Sequence, residues 1–246
     1  MLQRIKRFLK TISVSEKSIL SGLNHEECEL IHRIRSQMIT YLSVKKLARI
    51  AHTCRQIETN ALPGIFIEAG CALGGSSILI ASMKKNKRPF FVYDVFGMIP
   101  PPTKEDTRDV HSRYKIIEEG KSKGLGGEKY YGYEKNLYEI VNNNLKMFGI
   151  NRDEQSVSLI KGLVQDTLKI NQPVAFAHID VDWYEPVITC LKRIFPSLVI
   201  GGSIILDDYY DWGGCKKATD EYLNDISGKF VLDDSAGSLK ITKIKN

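Results

Sequence analysis

The sequence predicts an α/β protein: a doubly wound, mostly parallel seven-stranded sheet, with helices ahead of it and an antiparallel hairpin at its C-terminal end. Three observations carry that expectation. Short apolar, β-rich runs alternate with segments of helical periodicity from about residue 61 onward. The first of those runs, "GIFIEAG", passes directly into a glycine-rich turn and a helix, "CALGGSSILIASMKK". The last two runs, "GKFVLDD" and "GSLKITKIK", lie too close together for a helical crossover and must pair antiparallel.

Taken in order, residues 1–60 form a helical extension. In "MLQRIKRFLKTISVSEK", Leu2, Ile5, Phe8, Leu9 and Ile12 recur at helical spacing beside Arg4, Lys6, Arg7, Lys10 and Lys17. A basic amphipathic helix of this kind packs on the body or a partner subunit. The alternative is peripheral contact of residues 1–14 with an anionic membrane surface. "HEECELIHRIRSQM" and "SVKKLARIAHTCRQIETN" continue the helical pattern. Residues 61–246 form the sheet domain. After "GIFIEAG" come strands "RPFFVYDV", "SVSLIKG", "PVAFAHID" and "GGSIILDD", with helices at "EKNLYEIVNNNLKMFG", "YEPVITCLKRIF" and "GCKKATDEYLND" between them and after them. Residues 96–133 break the pattern with three prolines, a charged run, then glycines and tyrosines. An insertion of that length in a compact domain reads as a lid or substrate loop, against an inert surface loop.

The composition narrows the class. No apolar run approaches the roughly 20 residues of a membrane span, and the basic start lacks the apolar stretch of a secretory leader. Five cysteines show no C-x-x-C spacing, which reads as reduced thiols in a cytoplasmic protein rather than a disulfide framework or zinc site. The formal charge of +6 comes without aromatic-basic interleaving or a recognition motif, so no nucleic-acid partner is expected.

The glycine turn is the first candidate site. Glu68 lies at the end of the first strand, followed by Gly70, Gly74 and Gly75. Glycines allow close backbone approach, and a helix N-terminus carries partial positive charge. The spacing is not the G-x-G-x-x-G of dinucleotide sites, so the ligand need not hold a pyrophosphate. An E-x-G-x-x-x-G-G turn suits a nucleoside with an amino-acid tail, and Asp94 at the end of the second strand is placed to accept from ribose hydroxyls. The bland alternatives are a tight turn and a solvated acid.

The second site is acidic. Asp180 and Asp182 end the fourth strand, and Asp207 and Asp208 end the fifth. Ligands of open α/β sheets bind at these strand ends, and hard oxygen donors from two loops suit Mg²⁺. Asp182 is divided between this role and capping the helix that follows. His178 shares the face of Asp180 and reads chiefly as a satisfied core histidine.

These residues resemble a known family. "PGIFIEAGCALGGSSILIA", "YDVFGMIPPPTKED", "GLVQDTLK", "HIDVDWYEPV" and "GGSIILDDYYDWGGCKKATDEYL" are similar, in order and spacing from about Gln37 onward, to the macrocin O-methyltransferase family. The resemblance implies a Rossmann-like methyltransferase sheet, S-adenosyl-L-methionine and Mg²⁺ as cofactors, and a sugar or glycoside hydroxyl as acceptor. It places Glu68, Gly70, Gly74 and Ser76 in the cofactor turn, Asp94 on the ribose and Gln165 and Asp166 near the adenine. Met38 falls in a segment closing over the cofactor. Asp180, Asp207 and Asp208 become the metal ligands, with Asp180 also the general base, and the family's habit suggests a dimer. The chain departs from the pattern at Val181 (usually Gly), at Trp183 (usually Leu), in lacking an acid between Phe96 and Gly97, and around 121–133.

Three rival readings accompany this one. A D-x-D glycosyltransferase would use the acids on a nucleotide-sugar diphosphate. A non-catalytic binding subunit would have lost the metal acids. A methyltransferase for a catechol or other small diol would share the chemistry.

Overall fold

The structure, a computed structural model, describes residues 18–246. The basic amphipathic segment over residues 1–14 lies outside them.

Two helices come first. α1 (His25–Ser36) opens on a capping box: Asn24 accepts from the Glu27 N–H, and the Glu27 carboxylate accepts from the Asn24 N–H. α2 (Val44–Thr59) is capped by Ser43, whose hydroxyl accepts from the Lys46 N–H. The sheet then runs through β1 (Ile65–Ala69), β2 (Phe90–Asp94), β3 (Val157–Lys161), β4 (Val174–Ile179), β5 (Leu198–Leu206), β6 (Phe230–Asp233) and β7 (Leu239–Lys243). Its spatial order is β3-β2-β1-β4-β5-β7-β6. The first five strands pair parallel; β7 pairs antiparallel with both β5 and β6. The expected seven-stranded sheet and terminal hairpin are both present.

Helices cover both faces, as a parallel sheet requires. α3 (Gly75–Met83) and α5 (Leu137–Met147) join α1 and α2 on one side, burying Ile31, Leu47, Ile78 and Val141 against Phe66 and Phe176. α7 (Tyr184–Ile194) and α8 (Gly213–Asp225) cover the other, where Val187, Leu191 and Ala218 meet Ile67 and Ala177. Strand alternation assigns the faces: Phe66 and Phe176 look one way, Ile67 and Ala177 the other. The N-terminal helices therefore share the core of the first layer.

Two elements go beyond the sequence expectation. The insertion carries a helix, α4 (Arg108–Glu118), followed by two single 3₁₀ turns at Leu125–Gly127 and Tyr131–Tyr133. A four-residue helix, α6 (Val164–Thr167), follows β3. Its loop is held by Arg193 of α7, which donates to the carbonyls of Val164, Gln165 and Leu168.

Strand order reverses between β1 and β4, and the crevice at such a switch point is where these sheets bind ligands. Here the two strands nearly touch. Gly70 takes φ +82°, and a Cβ on it would lie 1.8 Å from the Asp180 carbonyl oxygen. Only glycine fits that approach.

Candidate active site

A cavity of about 580 Å³ opens at the C-terminal ends of β1, β2, β4 and β5. That is the size of a small-molecule site. Gly70, Asp94, Gln165, Asp180, Asp207 and Asp208 all line it. Met38, Glu68, Gly74, Ser76 and Asp166 do not.

The glycine turn is closed by the protein's own groups. Gly74, at φ +86°, is the N-cap residue of α3. The Gly75 N–H donates to the Ile39 carbonyl (3.1 Å), so the segment after α1 sits directly on the start of the helix. A Cβ on Gly75 would meet that carbonyl at 2.6 Å. Met38, at φ +52°, is exposed. Its sulfur faces Gly126 of the insertion, 3.0 Å from where a Cβ would stand. Ser76 is buried in the first turn of α3. Glu68 is wholly buried beneath the turn, accepting from the Ser77 hydroxyl and bonded at 2.9 Å to His178 Nδ1. The two strands set that pair, since Glu68 and His178 are register partners. Burial opposes charge on the imidazole, but the Glu68 carboxylate outweighs it and raises the His178 pKa.

Asp94 lies across the turn. Its two oxygens accept from the N–H groups of Cys71 and Phe96, each at 2.7 Å. Burial raises its pKa despite those donors. Each oxygen keeps a lone pair for a further donor from the cavity. Beside it, Gln165 Oε1 is buried with no hydrogen-bond partner, an acceptor aimed at nothing in the chain. Asp166, on the next residue, is exposed.

The acids at β4 and β5 are brought together. Asp180, Asp207 and Asp208 each place a carboxylate oxygen within 4.8 Å of the others. Asp207 and Asp208 are buried. Burial, reinforced by the charge of Asp207, pushes the Asp180 carboxyl up to about 8. Burial and the charges of Asp182 and Asp180 raise that of Asp208 strongly.

Asp182 does not cap α7, the reading weighed for it from the sequence. The N-cap is Trp183, and the open Tyr184 N–H is met instead by Asp106 of the insertion at 2.7 Å. Asp182 stands at φ +56° with its N–H on Asp208 Oδ2 (3.2 Å) and lines the cavity. Burial, then the charge of Asp207, pushes its carboxyl up to about 7, while a hydrogen bond from Trp212 lowers it.

Several lining groups were not named from the sequence, although Arg113 and Tyr130 fall in the insertion read as a lid or substrate loop. Lys46 of α2 reaches Asp207, and Arg113 of α4 comes in from the insertion. Tyr130 and Trp212 also line the wall. Trp183 had a signal, as a departure from the family pattern. Its indole donates to the Pro100 carbonyl (3.0 Å) and stacks edge-on against Trp212, so it ties the proline run of the insertion to the acid loop.

The chain and its fold resemble those of known proteins. The computed structure resembles that of the O-methyltransferase NovP, with a TM-score of 0.71 at 23% identity over 84% of this chain and 83% of that one. The chain is 28% identical over 211 residues to demethyldecarbamoylnovobiocin O-methyltransferase of Streptomyces niveus, covering 80% of this chain and 73% of the relative. It is 24% identical over 206 residues to mycinamicin III 3''-O-methyltransferase of Micromonospora griseorubida, covering 80% and 76%. The fold and the relatives define an S-adenosylmethionine-dependent O-methyltransferase. Residues 31–229 match the family described as macrocin-O-methyltransferase (TylF), and the chain belongs to that family. The glycosyltransferase reading of the D-x-D falls with that membership. No helix among the described residues is long and apolar enough to cross a membrane.

Proposed function

We propose that the protein methylates a hydroxyl of a sugar on a glycosylated small molecule, using S-adenosylmethionine and a divalent cation, Mg²⁺, held by Asp180, Asp207 and Asp208. One observation carries this reading: a single cavity joins Asp94 and Gln165 on one side to the acid trio on the other. The names of the relatives support the acceptor class, since one is a 3''-O-methyltransferase of mycinamicin III.

The residues fit a hard cation. Three carboxylates crowd together, and Asp207 Oδ1 is buried without a partner among the described residues. A divalent ion bound there would lower the pKa of an acceptor hydroxyl and fix its direction. Gln165 and Asp94 hold the nucleoside side through an amide oxygen and a carboxylate. Trp183, Trp212 and Tyr130 offer flat apolar faces to a sugar.

Proton removal falls to an acid of the D-x-D. A carboxylate bound to a cation is a weaker base, because the ion's charge disfavours adding a proton. The resemblance makes Asp180 the base as well as a ligand; here Asp180 is assigned to the cation and the proton to Asp182, which lines the cavity outside the trio. S-adenosylmethionine held in the cavity would supply the methyl to the acceptor oxygen, with its carbon–sulfur bond breaking and S-adenosylhomocysteine released. Alignment of oxygen, carbon and sulfur supplies much of the rate.

Calorimetric titration of S-adenosylhomocysteine into metal-stripped protein, repeated with Mg²⁺ alone, tests both halves. Micromolar nucleoside binding and a separate Mg²⁺ heat are expected, followed by methylation of glycosides in a mass-spectrometric screen. Nucleoside binding with no heat from Mg²⁺ would leave a metal-independent enzyme.

A further inference from the structure

Lys46 stands among the acids although it belongs to the N-terminal helices. Its ammonium lies 2.9 Å from Asp207 Oδ2, 3.1 Å from the Asp207 carbonyl and 2.9 Å from Asp211 Oδ2. The Lys46 side chain is 15% exposed and that of Asp207 9%, whereas Asp211 is 53% exposed. The Lys46–Asp207 pair therefore feels little solvent screening, and the contact to Asp211 feels much more. Lys46 is fixed at its root as well, because its N–H donates to the Ser43 hydroxyl that caps α2.

The contact divides the Asp207 carboxylate. Oδ2 goes to the ammonium. Oδ1 is buried and has no partner among the described residues. A carboxylate held in this way offers one oxygen in a fixed direction rather than two. It also lowers the charge. With all three acids ionised, as ligation requires, the trio carries three negative charges and Lys46 offsets one of them, while Asp211 shares the same ammonium and Asp182 lines the same cavity. Without Lys46 the same oxygens would suit a more highly charged cation.

We propose that Lys46 is a positioning residue of the cation site: it aims Asp207 Oδ1 at the ion and sets the charge of the trio so that a divalent ion is preferred. The inference rests on the metal reading given above. It gives the N-terminal helices a part in the site, since α2 delivers the ammonium. Lysine suits the place because a compact ammonium serves a carboxylate oxygen, a carbonyl and a second carboxylate together.

The test compares ion preference directly. Mn²⁺ binding is followed by electron paramagnetic resonance. Tb³⁺ binding is followed by luminescence sensitised by Trp183 and Trp212, which line the cavity. K46M and K46Q are expected to move the ratio of Tb³⁺ to Mn²⁺ affinity toward Tb³⁺ by about ten-fold or more, since one unit charge a few ångströms away is lost. K46R should hold that ratio within about three-fold of wild type, because it keeps the charge. K46Q keeps a donor for Asp207 and covers the case in which K46M folds poorly, and circular dichroism and S-adenosylhomocysteine affinity check both variants. An unchanged ratio in a folded K46Q would reduce Lys46 to a structural tie and overturn the inference. Wild-type protein that binds S-adenosylhomocysteine but neither ion would overturn the metal reading and this inference together, leaving the methyltransferase in place.

Discussion

At the ends of β1 and β2 most polar groups are answered from within the chain, with His178 Nε2 and the neighbouring Gln165 Oε1 left over among the described residues. Ile39 takes the Gly75 N–H, His178 and Ser77 take Glu68, and two N–H groups point into Asp94. At the ends of β4 and β5 they are not. Burial and neighbouring charge raise the pKa of Asp180, Asp182 and Asp208, and among the described residues one oxygen of Asp207 has no partner and a single lysine reaches into the group. The first region is a finished frame whose ligand needs only space and a few lone pairs. The second is an electrostatic debit that a cation would settle. Buried like charges cost stability unless they are paired, so a bound cation would relieve the second region in a way the first does not need.

The sharpest way to break that contrast is at Asp180. Asp180→Asn should lower turnover by about a thousand-fold or more, because both the cation site and the orientation it gives are lost. S-adenosylhomocysteine should bind within a few-fold of wild type, since the nucleoside side is built from other strands. Asp182→Asn should also cost about a hundred-fold or more in kcat, yet leave Mg²⁺ binding measurable. Calorimetry on the two variants separates them. If Asp180→Asn keeps its Mg²⁺ heat and Asp182→Asn loses it, the assigned roles are reversed.

Gly70 is where the two regions meet. Gly70→Ala forces a side chain into a left-handed conformation and against the Asp180 carbonyl, 1.8 Å from the new Cβ. The strained backbone costs about 1–2 kcal/mol and the clash about 1–3 more. Urea unfolding should show a loss of about 2–5 kcal/mol in total, on those same terms. Mg²⁺ affinity should fall as well, because Asp180 must move. A loss under about 1 kcal/mol would mean that β1 and β4 can part there easily, below the usual overpacking cost.

Next in size is the effect of pH and metal on stability. Burial and neighbouring charge raise Asp180 from 3.8 to about 8 and Asp182 to about 7. Between those limits the folded, metal-free chain holds protons that the unfolded chain has released. Its stability therefore falls as pH rises from about 4 toward 8. A bound cation replaces the protons, so Mg²⁺ should flatten the curve and act most strongly near pH 8. At a hundred times its dissociation constant it adds about 2.7 kcal/mol, or roughly 5–10 °C in Tm for a chain of this size. Thermal unfolding in EDTA and in Mg²⁺ across that range checks it. Parallel curves with and without the ion would mean that these acids are not its ligands.

The sheet was legible because strands and turns are local signals. The runs from "GIFIEAG" to "GSLKITKIK" carry period and punctuation, and each lies within a residue or two of an observed strand, except that β5 starts three residues early at Leu198. The acids were legible because four carboxylates at two strand ends are rare without a purpose. Lys46 and Arg113 were not, since each reaches the cavity from an element remote in sequence and neither belongs to a motif. Glu68 was visible but its place was not. Strand register, which the sequence does not state, buries it against His178 instead of turning it to the cavity. Helix α4 was hidden because its charged, proline-led surroundings resemble a loop, and only two of its residues, Val110 and Ile117, are buried.

That helix belongs to the insertion, and the insertion's hold on the acid loops gives the smallest and most particular prediction. Asp106 accepts from the Tyr184 N–H at 2.7 Å and the Thr103 N–H at 2.8 Å, so one carboxylate caps α7 and pins the chain after the prolines. Its Oδ1 is packed against α8, 2.3 Å from where a Cβ on Gly214 would stand. Asp106→Ala should therefore cost about 1–2 kcal/mol in stability, the usual range for a lost cap. Asp106→Asn, which keeps an acceptor, should cost about half as much. Because the pinned segment lines the cavity with Pro100, Pro101 and Thr103, on the side proposed for the acceptor, the alanine variant should raise the acceptor KM several-fold. It should change kcat and S-adenosylhomocysteine affinity little, since neither the trio nor Asp94 touches it. A fall in stability with no movement in the acceptor KM would show that the insertion braces α7 without shaping what the enzyme accepts.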